Sequence, residues 1–161
     1  MKKMKKVLLP VMALMLSAVP AWADSDNVPV IKDRVVKQEC GDCHIAFQPQ
    51  LLPKASWQRI MSDLPNHFGE DASLEKDIEK HIETYLVENA ADAGTFSRFW
   101  RSSRFDNVKG DNPSLRITQT SHWVHEHEEE DEITPQRWAK AKSKANCQAC
   151  HNEADKGYYD D

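Results

Sequence analysis

Two copies of the pattern Cys-x-x-Cys-His, Cys40-Gly41-Asp42-Cys43-His44 and Cys147-Gln148-Ala149-Cys150-His151, take up all four cysteines of this 161-residue chain. The pattern is the attachment signature of c-type haem, in which two thiols add to the porphyrin vinyl groups and the next imidazole binds the iron. Two intervening residues bring both sulfurs to one edge of a porphyrin, and a short helical turn leaves the following imidazole pointing at the metal. A dithiol redox motif does not require the histidine, and a four-cysteine zinc ribbon sets its two pairs roughly 15 to 20 residues apart rather than at opposite ends of a chain. The expectation is two covalently bound haem c groups, attached through Cys40, Cys43, Cys147 and Cys150, with His44 and His151 as iron ligands. One haem or a redox-active thiol pair is the remaining alternative. Such a chain has to close around two large apolar discs.

The N-terminus fits this chemistry, because in bacteria haem is attached covalently outside the cytoplasm. Lys2, Lys3, Lys5 and Lys6 precede an apolar stretch from Val7 to Val19, and Ala21-Trp22-Ala23 offers a small-residue cleavage site. Residues 1–23 therefore read as a signal peptide and the periplasm as the destination. The apolar run is too short to span a bilayer comfortably, for which about 20 residues are needed, so no membrane insertion is expected after cleavage. Loss of four lysines and no acid takes the formal charge from −5 to −9. That balance disfavours nucleic acid and anionic membranes as partners and suits a redox protein with a basic face; alternatively, it serves only solubility.

The pattern of apolar residues predicts a mainly α protein with two small helical haem-binding domains, residues 24–94 and 95–161. In the first, Ser56 is a candidate N-cap before the stripe Trp57, Ile60, Met61 and Leu64. Asn66-His67-Phe68-Gly69 then makes a turn. Ser73 is a second candidate cap, leading into a long helix whose face is Leu74, Ile78, Ile82, Tyr85 and Leu86. The order of short helix with haem motif, connecting helix, ligand-bearing loop and terminal helix is similar to that of class I cytochromes c. The second domain is smaller and less regular. It has an arginine-rich stretch from Thr95 to Asn112 with Phe96, Phe99, Trp100 and Phe105, then an acidic run from Glu126 to Glu132, and Thr134-Pro135 opening a short helix toward the second motif.

The sixth ligands decide what such haems can do. Met61 is the only methionine beyond the leader, and it lies on an apolar stripe where a core role is the simpler account. Five further histidines remain: His67, His81, His122, His125 and His127. For the first haem His67 is favoured by its loop position, with His81 the rival at the edge of a helix face. For the second, a helix beginning at Thr120 or Ser121 with about 100° per residue turns His127 toward Trp123 and Val124, its only apolar face. His122 and His125 follow as alternatives, and the cluster also reads as a solvated charged helix or a surface metal site.

These segments together resemble the dihaem cytochromes c, a family often abbreviated DHC. The resemblance is carried by Glu39 to His44, Gln50-Leu51-Leu52-Pro53, Ser56-Trp57, Asn66-His67-Phe68-Gly69, Arg116-Ile117-Thr118, Trp123 to His127 and Ala145 to His151. It implies a class I-like N-terminal domain, a smaller C-terminal one, and a bis-histidine haem in each, with His67 and His127 as sixth ligands. It also implies an oxygen-binding monohaem cytochrome and a membrane b-type cytochrome as redox partners. The extra histidines and long acidic run beside His127 depart from the family pattern.

Two imidazoles per iron leave no position for substrate and favour ferric iron, so the expected role is electron transfer at low potential rather than catalysis. The alternative is a small haem enzyme, of peroxidase or nitrite-reductase type, or a ligand sensor with one open iron. With a mean hydropathy of −0.70, the chain has little apolar material of its own, and each haem is expected to serve as core. Haem-free protein should therefore be poorly folded; near-UV circular dichroism of apoprotein and holoprotein tests this, and a native-like apoprotein spectrum would contradict it.

Overall fold

The computed structural model describes residues 27–94, 113–129 and 133–159. The expected signal peptide, all of the arginine-rich stretch and the end of the acidic run lie outside these residues. The protein is mainly α-helical, and the described residues contain no β-strand beyond one isolated bridge, His67 to Glu70. None of the described helices is long and apolar enough to cross a membrane.

Helix α1 (Arg34–Gly41) starts at Asp33, whose carboxylate accepts the backbone N–H groups of Val35 and Val36 at 2.9 and 3.0 Å. Its other oxygen lies 2.9 Å from Nε2 of His81. One side chain thus caps α1 and ties it to α3 (Lys76–Glu88). The Val36 N–H is the main cause that holds the Asp33 carboxyl below the ordinary carboxylate range, and His81 adds to it.

Two expected caps are corrected by the structure. Helix α2 (Lys54–Met61) begins after Pro53, two residues ahead of Ser56, and its first N–H, that of Lys54, is taken by the Asp92 carboxylate at 2.8 Å. Ser56 is buried in the first turn and donates its hydroxyl to the Ser114 carbonyl instead. Ser73 is held by the Asp71 carboxylate through both its N–H and its hydroxyl, and α3 starts later, after Glu75. In both cases a tertiary or local side-chain bond competed with capping, as short hydroxyl side chains allow.

The core forms where α2 and α1 pack on α3. Ile31, Val36, Leu52, Trp57, Met61, Leu64, Ile82, Leu86 and Ala90 are buried together, with Leu74, Ile78 and Tyr85 at its margin. Met61 is a core residue, 5% exposed. The helical stripe read in the sequence is therefore the face that packs, and each fully buried aliphatic side chain contributes about 2 kcal/mol.

The second half is built from short pieces. A 3₁₀ turn at Ile117–Gln119 leads to Thr120, whose hydroxyl caps α4 (Ser121–Val124). The chain then widens into a π turn over His125–Glu129. Thr134 caps α5 (Pro135–Ala141), with proline in the first turn as expected, and 3₁₀ turns at Cys147–Ala149 and Ala154–Lys156 finish the chain. Among the described residues of this region, few apolar side chains are buried, Trp123, Ala141 and Ala154 with Pro113.

The ends of the described chain are locked together. Val28 donates its N–H to the Gly157 carbonyl at 2.9 Å. Gly157 has φ +87°, and a Cβ there would lie 2.2 Å from the Val28 carbonyl oxygen. Alanine would meet both the left-handed penalty and a backbone clash, so Gly157→Ala should destabilise the protein by about 2–3 kcal/mol; the denaturant midpoint measures it, and an unchanged midpoint would show that this contact contributes nothing.

Candidate functional site

At the first motif, Cys40 lies in the last turn of α1, and Cys43 and His44 follow in an exposed turn. Burial pushes the Cys40 thiol up to about 11, with Glu39 adding to it. His44 stacks on Phe47 with ring centroids 4.8 Å apart, and its Nδ1 lies 2.7 Å from the Ile45 carbonyl oxygen. If Nδ1 carries the proton and donates it there, Nε2 is left with its lone pair available to a metal.

His67 reaches this turn from the loop between α2 and α3. Pro65 opens a 3₁₀ turn at Leu64–Asn66, and the Leu64 carbonyl accepts the N–H groups of both His67 and Ala72, which closes the loop. Phe68 and Gly69 then both take positive φ, 55° and 104°, and Glu70 bonds back to His67 at 3.1 Å. Both central residues in that region make a tight primed turn, unusual for phenylalanine and natural for glycine. Arg116 lies over the Phe68 ring at 4.1 Å. Burial, followed by the positive charges of His44 and Arg116, holds His67 below the ordinary imidazole range, which favours the neutral, ligating form.

The two rings, His44 and His67, face each other with centroids 6.2 Å apart and planes at 23°. Two imidazoles sharing one metal through nitrogen bonds of about 2 Å need centroids about 6 Å apart. The pair fits. His81, the rival, is engaged with Asp33 on the outer side of α3.

The second motif repeats the arrangement with other means. Cys147, Cys150, His151 and His127 line one cleft, together with Trp123, Trp138 and His122. Burial again pushes the first thiol of the motif, Cys147, up to about 11. His127 and His151 have centroids 6.0 Å apart, with planes at 71°. His127 lies flat on Trp123, centroids 4.4 Å apart and planes at 4°, and its Nδ1 is 2.9 Å from the Trp123 carbonyl oxygen. His125 points away to Glu129 at 3.0 Å, and His122 lies 3.7 Å from Glu126. Among the described residues, no group of three or more His, Cys, Asp or Glu side chains is placed to hold a metal ion. The segment differs from the α-helix expected at 100° per residue, because the π turn advances less per residue. His127 still meets Trp123.

Sequence reasoning missed what joins the two sites. Gln48 is fully buried; its amide N–H donates to the Ala154 carbonyl at 2.7 Å, and its amide oxygen accepts from the Tyr159 hydroxyl at 2.6 Å. The Tyr159 ring stands edge-on to His151 at 5.5 Å. Phe47, next to Gln48, is the ring on which His44 stacks. A glutamine between apolar residues gives no sign in sequence of partners 106 and 111 positions away.

Residues 36–159 match the family described as dihaem cytochrome c. The structure is similar to that of the dihaem cytochrome c from Rhodobacter sphaeroides, with a TM-score of 0.71 at 40% sequence identity, covering 81% of this chain and 99% of that one. It is also similar to the dihaem cytochrome type c from Shewanella baltica OS155, with a TM-score of 0.61 at 31% identity, covering 81% and 89% respectively. No curated protein sequence matches the chain.

Burial raises the Tyr159 phenol well above its usual range, so it stays protonated and donates to Gln48 at any physiological pH. Tyr159→Phe leaves the Gln48 oxygen without that donor and should cost about 1–2 kcal/mol. Chemical denaturation of the holoprotein reads this out, and an unshifted midpoint would mean that the bond carries no net stability.

Proposed function

The chain belongs to the dihaem cytochrome c family, and from that premise we propose that it relays single electrons between redox proteins through two low-potential haems, each held by two histidines. The observation that carries the reading is the imidazole pairing: His44 with His67 and His127 with His151, both near 6 Å and each including the histidine of a Cys-x-x-Cys-His motif. Cys40 and Cys43 would hold one haem through thioether bonds, and Cys147 and Cys150 the other. Each haem supplies a one-electron ferric–ferrous couple when bound, and imidazole on both faces favours the ferric state.

The chain's own residues support that role. The carbonyls of Ile45 and Trp123 lie within hydrogen-bond distance of Nδ1 of His44 and of His127, which orients Nε2 of both rings and raises its basicity. Phe47, Phe68, Trp123 and Trp138 place apolar surface beside the rings. Gln48 and Tyr159 hold the two sites in one framework, which suits passage of an electron between them. Residues 24–94 and 95–161 serve in this reading as the two haem domains of an exported, periplasmic protein. Its partners are redox proteins, an oxygen-binding monohaem cytochrome and a membrane b-type cytochrome.

Carbon monoxide separates this carrier from an enzyme or sensor with an open iron. Added to the reduced holoprotein it should produce no spectral change, whereas stoichiometric binding at one haem would defeat the reading. His67→Ala and His127→Ala should each create one carbon monoxide site, and a variant that fails to do so removes that histidine from the ligand set.

A further inference from the structure

The two imidazole pairs share a spacing but differ in orientation. His44 and His67 are nearly parallel, at 23°, while His127 and His151 are crossed, at 71°. The residues behind the rings account for the difference. His127 is clamped at two points: its face lies on the Trp123 indole at 4°, and its Nδ1 lies at hydrogen-bond distance from the Trp123 carbonyl oxygen. Trp123 itself cannot turn freely. Its side chain is 7% exposed and packed against Trp138 at 42°, and its backbone N–H is bonded to the Thr120 hydroxyl. On the opposite side, the edge-on Tyr159 is anchored through its hydroxyl to buried Gln48 and faces His151 at 68°. Among the described residues the first pair has no such indole: His44 leans on Phe47 at 28° and His67 meets Phe68 edge-on.

We infer that Trp123 is a positioning residue that holds His127 crossed to His151, so that the two centres are electronically distinct although both carry two histidines. This rests on the bis-histidine reading proposed above. The physical reason lies in π donation. Parallel imidazoles donate into the same iron d orbital and separate it from its partner, whereas crossed imidazoles donate into different ones and leave the two nearly degenerate. Near-degeneracy makes a low-spin ferric centre strongly anisotropic. The surrounding protein thereby tunes a metal through the orientation of a ligand it does not itself replace.

Low-temperature EPR of the ferric holoprotein tests this. Wild-type protein should give two low-spin signals, one rhombic from the parallel pair and one with a large maximum g value from the crossed pair. Trp123→Leu should shift the second signal toward the rhombic type and leave the first in place as an internal control. Trp123→Phe, which keeps a flat ring, should restore it. Two rhombic signals in the wild type, or an unshifted second signal in Trp123→Leu, would overturn the inference while leaving bis-histidine ligation intact. A high-spin signal or carbon monoxide binding in the wild type would instead defeat the ligation beneath it. The wild-type spectrum alone tests the crossed geometry, so the inference stays open to refutation even where the leucine variant does not fold.

Discussion

The amide of Gln48 is the interaction on which the rest of the structure depends. It sits without solvent exposure between the segment that follows the first motif and the segment that follows the second, with a donor to Ala154 and an acceptor from Tyr159. A buried primary amide is costly unless its groups are paired, so these bonds specify one relative placement of the two segments. The Val28–Gly157 backbone bond, and the bond from Tyr159 N–H to the Asn27 side chain, close the same seam. Because Phe47 adjoins Gln48 and Tyr159 faces His151, that seam also sets the position of one imidazole at each site.

The two sites reach a similar ring spacing by different local means. In the first, a helical core of three packed elements leaves one loop, and a tight turn with two positive φ angles at its tip presents His67. Phe68 is 44% exposed and strained in that turn, an arrangement that persists only because the closed loop and Arg116 hold it. In the second, little apolar side chain is buried, and a π turn backed by two indoles presents His127. A haem bound there would replace the core that the chain lacks, which is how so polar a sequence can sustain two folded halves.

Much of this was legible in advance, and for identifiable reasons. The stripe Ile78, Ile82 and Leu86 announced α3, because helical spacing and burial are the same signal. Thr134 and Pro135 announced the start of α5, because a hydroxyl cap followed by proline satisfies the first turn locally. Ser56 and Ser73 misled, since a hydroxyl spends its bond on the best partner available, and those partners, Ser114 and Asp71, were not the expected helix ends. His67 and His127 were singled out as sixth ligands from loop position and one apolar face, and the structure brings each opposite the histidine of a motif. The stack on Trp123 and the π turn beneath it were not foreseen, because i+4 neighbours can overlap in several backbone geometries.

The sequence by itself determined the chemistry: two Cys-x-x-Cys-His motifs carry their meaning in covalent spacing, which no fold can alter, and a single methionine after residue 23 limits which ligands are available. Helical content followed from short-range periodicity for the same reason. Only the tertiary structure decided how the two halves lock through Gln48 and Gly157, which histidine faces which, and at what angle. Those are contacts between residues tens to more than a hundred positions apart. They arise from packing and directional hydrogen bonds that exist only once the chain has closed on itself.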